Sequence, residues 1–117
     1  MNADEMTGYP SIDKPWLKYY SKEFINKPLK KCTVYQNVYT SNSEHMSDIA
    51  LIYFNNKISY RTLFREVDRC AYTLKCMGIQ SGDIISLCTA GTPESIYLLL
   101  AANKLGAVCN LSLIHIS

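Results

Sequence analysis

Between Gly78 and Asn110 the chain reads GIQSGDIISLCTAGTPESIYLLLAANKLGAVCN, with turn and helix signals at spacings that leave little choice of fold. Asp83 to Thr89 is apolar enough to form a strand covered on both faces. Thr92 follows as a side-chain cap, and Pro93 fits the first helical position, where no backbone N–H is needed. Glu94 lies near the positive end of the helix dipole. From Ile96 to Leu105 the helix is apolar around most of its circumference, so it must be buried between a sheet and something else. Left uncovered, it would expose a large apolar patch. Gly106 stops it, and Ala107 to Asn110 begins another buried strand. Strand, helix and strand within roughly thirty residues make a βαβ unit, with parallel strands and a right-handed crossover. The fold class is therefore α/β, with a βαβ parallel-sheet unit at 83–110.

Upstream, the opening MNADEMTG is polar and aperiodic, and residues 1–14 read as a flexible N-terminus. Asp13 is placed to cap a helical turn that Pro15 would begin, carrying Trp16, Tyr19 and Tyr20 as an aromatic arm lying on a larger body. Pro28 closes that region. Thr33 starts a helix in which Val34, Val38, Tyr35 and Tyr39 share a face, ending in the polar run Thr40 to Glu44. Ile49 to Phe54 and Lys57 to Tyr60 form a hairpin, with Asn55 and Asn56 expected to take the left-handed turn. A third helix runs from about Tyr60 to Met77, with Leu63, Phe64, Val67, Ala71 and Leu74 on one stripe and Gly78 at its stop. Ser59 is its N-cap, although Thr62 stands where a capping box would carry Glu or Gln. Arg61, Arg65, Glu66, Asp68, Arg69 and Lys75 fill the opposite side as a solvated face.

Composition narrows the function classes. With 48% hydrophobic and 19% charged residues the chain is neither disordered nor fibrous, and a net charge of +2 with scattered basic residues excludes a nucleic-acid stripe. Five cysteines without a CxxC pair suit free thiols in a reducing, cytoplasmic setting. No apolar run has signal-peptide length, and the longest, Ile96 to Ala102, is far short of the ~20 residues of a membrane span.

Reactive chemistry is sparse. The sequence has no GxxxxGK[ST], no GxGxxG and no glycine-rich Ser/Thr loop to hold phosphate. The turn Thr89-Ala90-Gly91-Thr92-Pro93 precedes a helix N-terminus that could hold an anion, but it reads better as a plain strand-to-helix turn. His45 sits in a polar loop and His115 in the tail, neither with a partner at metal-ligand spacing. Cys70 and Cys76 point to different faces of one helix, while Cys88 and Cys109 read as small fillers of buried strands. Most of the tyrosines fall at core-edge spacings. No catalytic, cofactor-binding or metal residue is assigned.

Several segments, taken in order, resemble the opening of acyl-CoA synthetases and related AMP-forming ligases. Tyr9 to Tyr20 (YPSIDKPWLKYY) is similar to the leader of a bacterial branch labelled long-chain fatty-acid or AMP-dependent ligases. Ala50 to Tyr53 with Ile58-Ser59-Tyr60-Arg61-Thr62-Leu63 resembles the family's first core motif, which more often has an acidic residue at position 62. Gly78-Ile79, Gly82-Asp83, Pro93-Glu94 and Leu100 to Val108 are similar to the motifs that follow. The resemblance implies that 15–110 is the truncated N-terminal part of the large adenylate-forming domain. The whole enzyme would use ATP, Mg and CoA, attack ATP with a carboxylate, and pass the resulting acyl group to a thiol. The implied substrate is a long-chain fatty acid or related carboxylic acid. The phosphate loop, adenine motif, ribose aspartate and catalytic lysine have no counterpart here, so the 117-residue chain is expected to be inactive alone.

After Asn110 the family pattern is lost. The string SLIHIS resembles translated sequencing adapter, and residues 111–117 are expected to be a non-native tail. Two other readings stay open: a free-standing α/β module that binds a partner, and the start of a peptide-synthetase adenylation domain that loads a carrier protein.

Overall fold

A computed structural model describes residues 5–112, and the chain divides into two units, one up to Lys30 and one from Lys31 on. In the first unit, α1 (Pro10–Asp13) is a single turn. Asp13 reaches backward, accepting hydrogen bonds from the Thr7 N–H at 2.9 Å, the Thr7 hydroxyl at 2.8 Å and the Gly8 N–H at 2.8 Å. These donors, the Thr7 backbone N–H first, hold its carboxyl below the usual carboxylate range. Asp13 therefore does not cap the following turn as the sequence suggested. The 3₁₀ turn Pro15–Tyr19 begins at Lys14, which sits at φ 45° with no side-chain cap. A second short helix, α2 (Lys22–Asn26), was not anticipated. It is capped by Ser21, whose hydroxyl accepts the Phe24 N–H, and Tyr20 and Phe24 stack with ring centres 5.5 Å apart.

The second unit holds the core. Its helix α3 (Val34–Asn42) starts in a reciprocal capping box: Gln36 N–H donates to Thr33 Oγ1 and Thr33 N–H donates to Gln36 Oε1, both at 3.1 Å. Strands β1 (Ile49–Tyr53) and β2 (Asn56–Ser59) pair antiparallel, with Tyr53 opposite Asn56. The left-handed residue of the turn is Phe54, at φ 53°, and not either asparagine; Asn56 is already paired in the strand.

Helix α4 (Tyr60–Cys76) buries the stripe expected of it, Leu63, Phe64, Val67, Ala71 and Leu74. Ser59 accepts the Thr62 N–H at 3.2 Å, and the Thr62 hydroxyl meets the Ser59 hydroxyl where a longer acidic side chain would have reached back. The helix closes with Gly78 N–H donating to Lys75 O and Ile79 N–H donating to Leu74 O, the paired bonds that a left-handed glycine permits.

Strand β3 (Ile84–Cys88), helix α5 (Pro93–Lys104) and strand β4 (Val108–Ser112) form the βαβ unit, with β3 and β4 parallel in the register Ile84 to Val108 through Cys88 to Ser112. Helix α5 packs on α4, where Tyr97, Leu100 and Ala101 join the α4 stripe in one cluster. The sheet is covered on the α5 side only. Leu87 is buried and Ile85 half-buried, but Ile84, Ser86 and Cys88 are exposed, so the strand expected to be covered on both faces is covered on one. The open apolar surface lies at Ile84, Val108 and Leu111, while α5, which looked the most demanding element, buries Pro93, Tyr97, Leu100, Ala101 and Ala102. Leu111 and Ser112, the first residues of the expected tail, continue β4 opposite Leu87 and Cys88. Leu113 to Ser117, with His115, lie outside the described residues.

The loops at the start of the two parallel strands touch. Gly82 N–H donates to Gly106 O at 2.9 Å and Val108 N–H to Asp83 O at 2.7 Å, which sets the register of the sheet. Gly106 has φ 77°, and a β-carbon there would lie 2.6 Å from Ser81 Oγ. Gly106→Ala is expected to lower stability by about 1–2 kcal/mol in urea unfolding, chiefly through the left-handed backbone. Adding Ser81→Ala should recover only the part due to the contact. An unchanged unfolding midpoint would contradict this reading.

Candidate functional site

In open parallel sheets ligands settle outside the carboxyl ends of the strands, so the turn after β3 is the place to look. A cleft of about 220 Å³ lies there, walled by Leu87, Ile96, Leu99 and Leu111 with Thr89, Ser95 and Ser112 as its polar side chains. At the turn its polar groups are spent locally. Ser95 N–H donates to Thr92 Oγ1 at 3.4 Å, Thr92 N–H donates to Ser95 Oγ at 3.2 Å, and Ser95 Oγ donates to Thr92 O at 2.6 Å. The Thr89 hydroxyl donates to Ala90 O at 2.7 Å. Glu94 adds negative charge to the first turn. The segment from Thr89 to Pro93 is thus a strand-to-helix turn with a complete capping box, and the cleft beside it suits an apolar group better than a phosphate.

The remaining candidates do not converge. His45 Nδ1 lies 3.3 Å from Asp48 in an exposed loop. Among the described residues no three His, Cys, Asp or Glu side chains gather as a metal site. Cys88 is exposed and Cys109 half-buried, which corrects the expectation that both fill a buried core; the cause is the open face of the two-stranded sheet. Burial pushes the Cys109 thiol up, and burial followed by the nearby Glu66 pushes Cys70 up, the reverse of nucleophile activation. Cys32 and Cys76 are exposed.

What the sequence did not single out is a polar joint at the end of α5. Asn103 Oδ1 accepts the Tyr35 N–H at 2.9 Å, satisfying one of the donors left free in the first turn of α3. Lys104 Nζ donates to Asp68 Oδ1 of α4 at 2.5 Å and lies 5.1 Å from the centre of the Tyr35 ring. The Asp68 hydrogen bond raises the Lys104 ammonium above its ordinary value. Two adjacent residues thereby tie three helices. The available signal was a polar Asn-Lys pair closing an otherwise apolar helix.

The arrangement defines the class: an α/β unit built of a capped βαβ segment, a hairpin and packed helices. The chain belongs to the AMP-binding enzyme family, whose profile matches residues 38–112, more than half of its length. It is 42% identical over 52 residues to an acetyl-coenzyme A synthetase of Penicillium chrysogenum, a match covering 44% of this chain and 8% of that one. It is similar in structure to the N-terminal subdomain of Klebsiella oxytoca NpsA in complex with 3-hydroxyanthranilyl-AMSN, with a TM-score of 0.69, 26% identity, and coverage of 73% of this chain and 22% of that one. It is also similar to NpsA-ThdA, an artificially fused adenylation–PCP di-domain from the same organism, with a TM-score of 0.64, 26% identity, and coverage of 71% and 16%. The chain therefore spans a small fraction of the length of the relatives it matches. No described helix is long and apolar enough to cross a membrane.

Asn103→Ala is expected to cost about 1 kcal/mol by leaving the Tyr35 N–H without its acceptor, measured by thermal unfolding. Lys104 gives a pH test. Its folded value is raised, so its contribution is complete below the ordinary lysine value of 10.5 and is lost as pH rises through the folded value. The pair is well exposed, so the difference between the wild type and Lys104→Gln should be below about 1 kcal/mol at neutral pH and vanish in strong alkali. A difference that grew with pH would refute it.

Proposed function

We propose that this chain is the N-terminal scaffold of a cytoplasmic acid–thiol ligase. In that reaction a carboxylate oxygen attacks the α-phosphorus of ATP and expels pyrophosphate; the thiol sulfur of CoA then attacks the acyl carbonyl and expels AMP. The observation that carries the reading is the AMP-binding match over residues 38–112, supported by the likeness to an adenylation N-terminal subdomain. The same match favours a ligase over a free-standing binding module.

Residues 15–110 are read as the part of the AMP-binding domain present here, behind a flexible leader. Their role is to hold a parallel sheet and its helices in register. In this reading ATP and Mg are bound by the rest of the enzyme, and the chain alone is expected to be inactive. The leader from Tyr9 to Tyr20 supports a long-chain fatty acid as substrate, whereas the curated relative named above is an acetyl-CoA synthetase. A second reading has support of its own: the adenylation–PCP neighbour favours a carrier-protein thiol as an alternative acceptor to CoA.

The test is ATP–pyrophosphate exchange by the protein that carries this segment, with acetate, anthranilate and palmitate as trial acids. Exchange that depends on one of these, followed by acylation of CoA or of a carrier thiol, is expected. The 117-residue chain should support none. No exchange with any carboxylic acid, or exchange by the short chain itself, would sink the proposal.

A further inference from the structure

The outer side of α4, read from sequence as a plain solvated face, carries a groove of about 680 Å³. Arg61, Arg65 and Arg69 run along it four residues apart, a ladder with a rise of about 6 Å per step. Its apolar surface comes from Met46, the edge of buried Phe64, and Tyr72, which is 72% exposed. The wall is built rather than incidental: Arg61 N–H donates to Met46 O at 2.9 Å and Tyr60 N–H donates to Asp48 O at 3.0 Å, fastening the loop to the first turn of α4.

The charges do not balance. Arg65 and Arg69 share one carboxylate oxygen of Glu66, at 3.5 and 3.2 Å, and the Arg61 side chain has no ion-pair partner among the described residues. The groove's own acid, Asp68, is engaged by Lys104 from the α5 side. The groove's lining thus carries three arginines against the single acid Asp68, two positive charges in excess beside an aromatic and thioether surface, with Glu66 at its edge shared by Arg65 and Arg69 and Asp68 shared with Lys104.

A cage would suit a small anion; a straight ladder at helical repeat suits an extended one. We infer that this groove docks an acidic amphipathic helix of a partner protein, with carboxylates four residues apart meeting the arginine ladder and an apolar stripe against Met46, Phe64 and Tyr72. Exposed ion pairs contribute little individually, so the apolar surface supplies most of the affinity and the arginines select the charge of the partner and speed its arrival.

The test uses the 117-residue chain and a fluorescein-labelled helical peptide of about fifteen residues, with Glu at every fourth position and Leu and Trp on the adjoining stripe. Fluorescence anisotropy is expected to show saturable binding that weakens with salt. Replacing every Glu of the peptide by Gln should weaken it roughly tenfold or more, as should Arg61→Gln with Arg69→Gln in the chain. The Gln peptide decides the matter on unaltered protein even if the arginine variants fold poorly. Absent saturable binding, equal affinity for the Glu and Gln peptides, tighter binding to phosphatidylserine vesicles than to the peptide, or full displacement by equimolar pyrophosphate would each overturn the inference.

Discussion

The contact between α4 and α5 is the constraint on which the second unit depends. Val67 and Ala101 are both fully removed from water there, and small residues at Ala71, Ala101 and Ala102 let the two helices approach closely. From this seam α4 carries the β1–β2 hairpin through Ala50, Leu51 and Ile58, and α5 carries the β3–β4 sheet and the N-terminus of α3. Each large apolar side chain of the cluster, such as Leu63, Phe64, Val67 and Leu100, contributes on the order of 1.5–3 kcal/mol, before the entropy of ordering the chain is set against it. Loosening the seam would detach both sheets together, since no other contact of comparable extent joins them among the described residues.

Polar interactions then set geometry rather than supply bulk stability. The Gly82–Gly106 contact fixes the register of the parallel strands, and the Asn103–Lys104 joint fixes how α3 meets α4 and α5. What the chain supplies to an AMP-binding ligase, in the function proposed, is a sheet with one open face and a covered helix layer. The exposed Ile84, Val108 and Leu111 mark where further apolar surface would be satisfied.

Local signals were legible in the sequence, because a cap or a stripe is decided by residues within a few positions. Thr33, Ser59 and Thr92 cap their helices as read, Pro93 takes the first helical position, and Leu63 to Leu74 form the buried stripe. Errors arose where distant parts of the chain decide. Cys88 looked buried because its strand is apolar, but burial depends on how many layers cover a strand. Asp13 could serve the turn before or after it, and three donors behind it prevailed. Phe54 took the left-handed position because strand pairing reaches Tyr53 and Asn56, leaving only Phe54 and Asn55 for the turn. The joint at Asn103 and Lys104 was hidden because its partners, Tyr35 and Asp68, are far away in sequence. The site was less legible than the fold, since the polar groups that could mark it, at Thr89, Thr92 and Ser95, are engaged in local turn and cap bonds that sequence spacing shows only as a helix start.

The most direct test of the central claim, that this chain is the opening scaffold of an adenylate-forming ligase, is long-read sequencing of the source DNA from the Leu100 codon onward. The account predicts a reading frame that continues into a glycine-rich Ser/Thr phosphate loop. A native stop directly after Ser117 would contradict it.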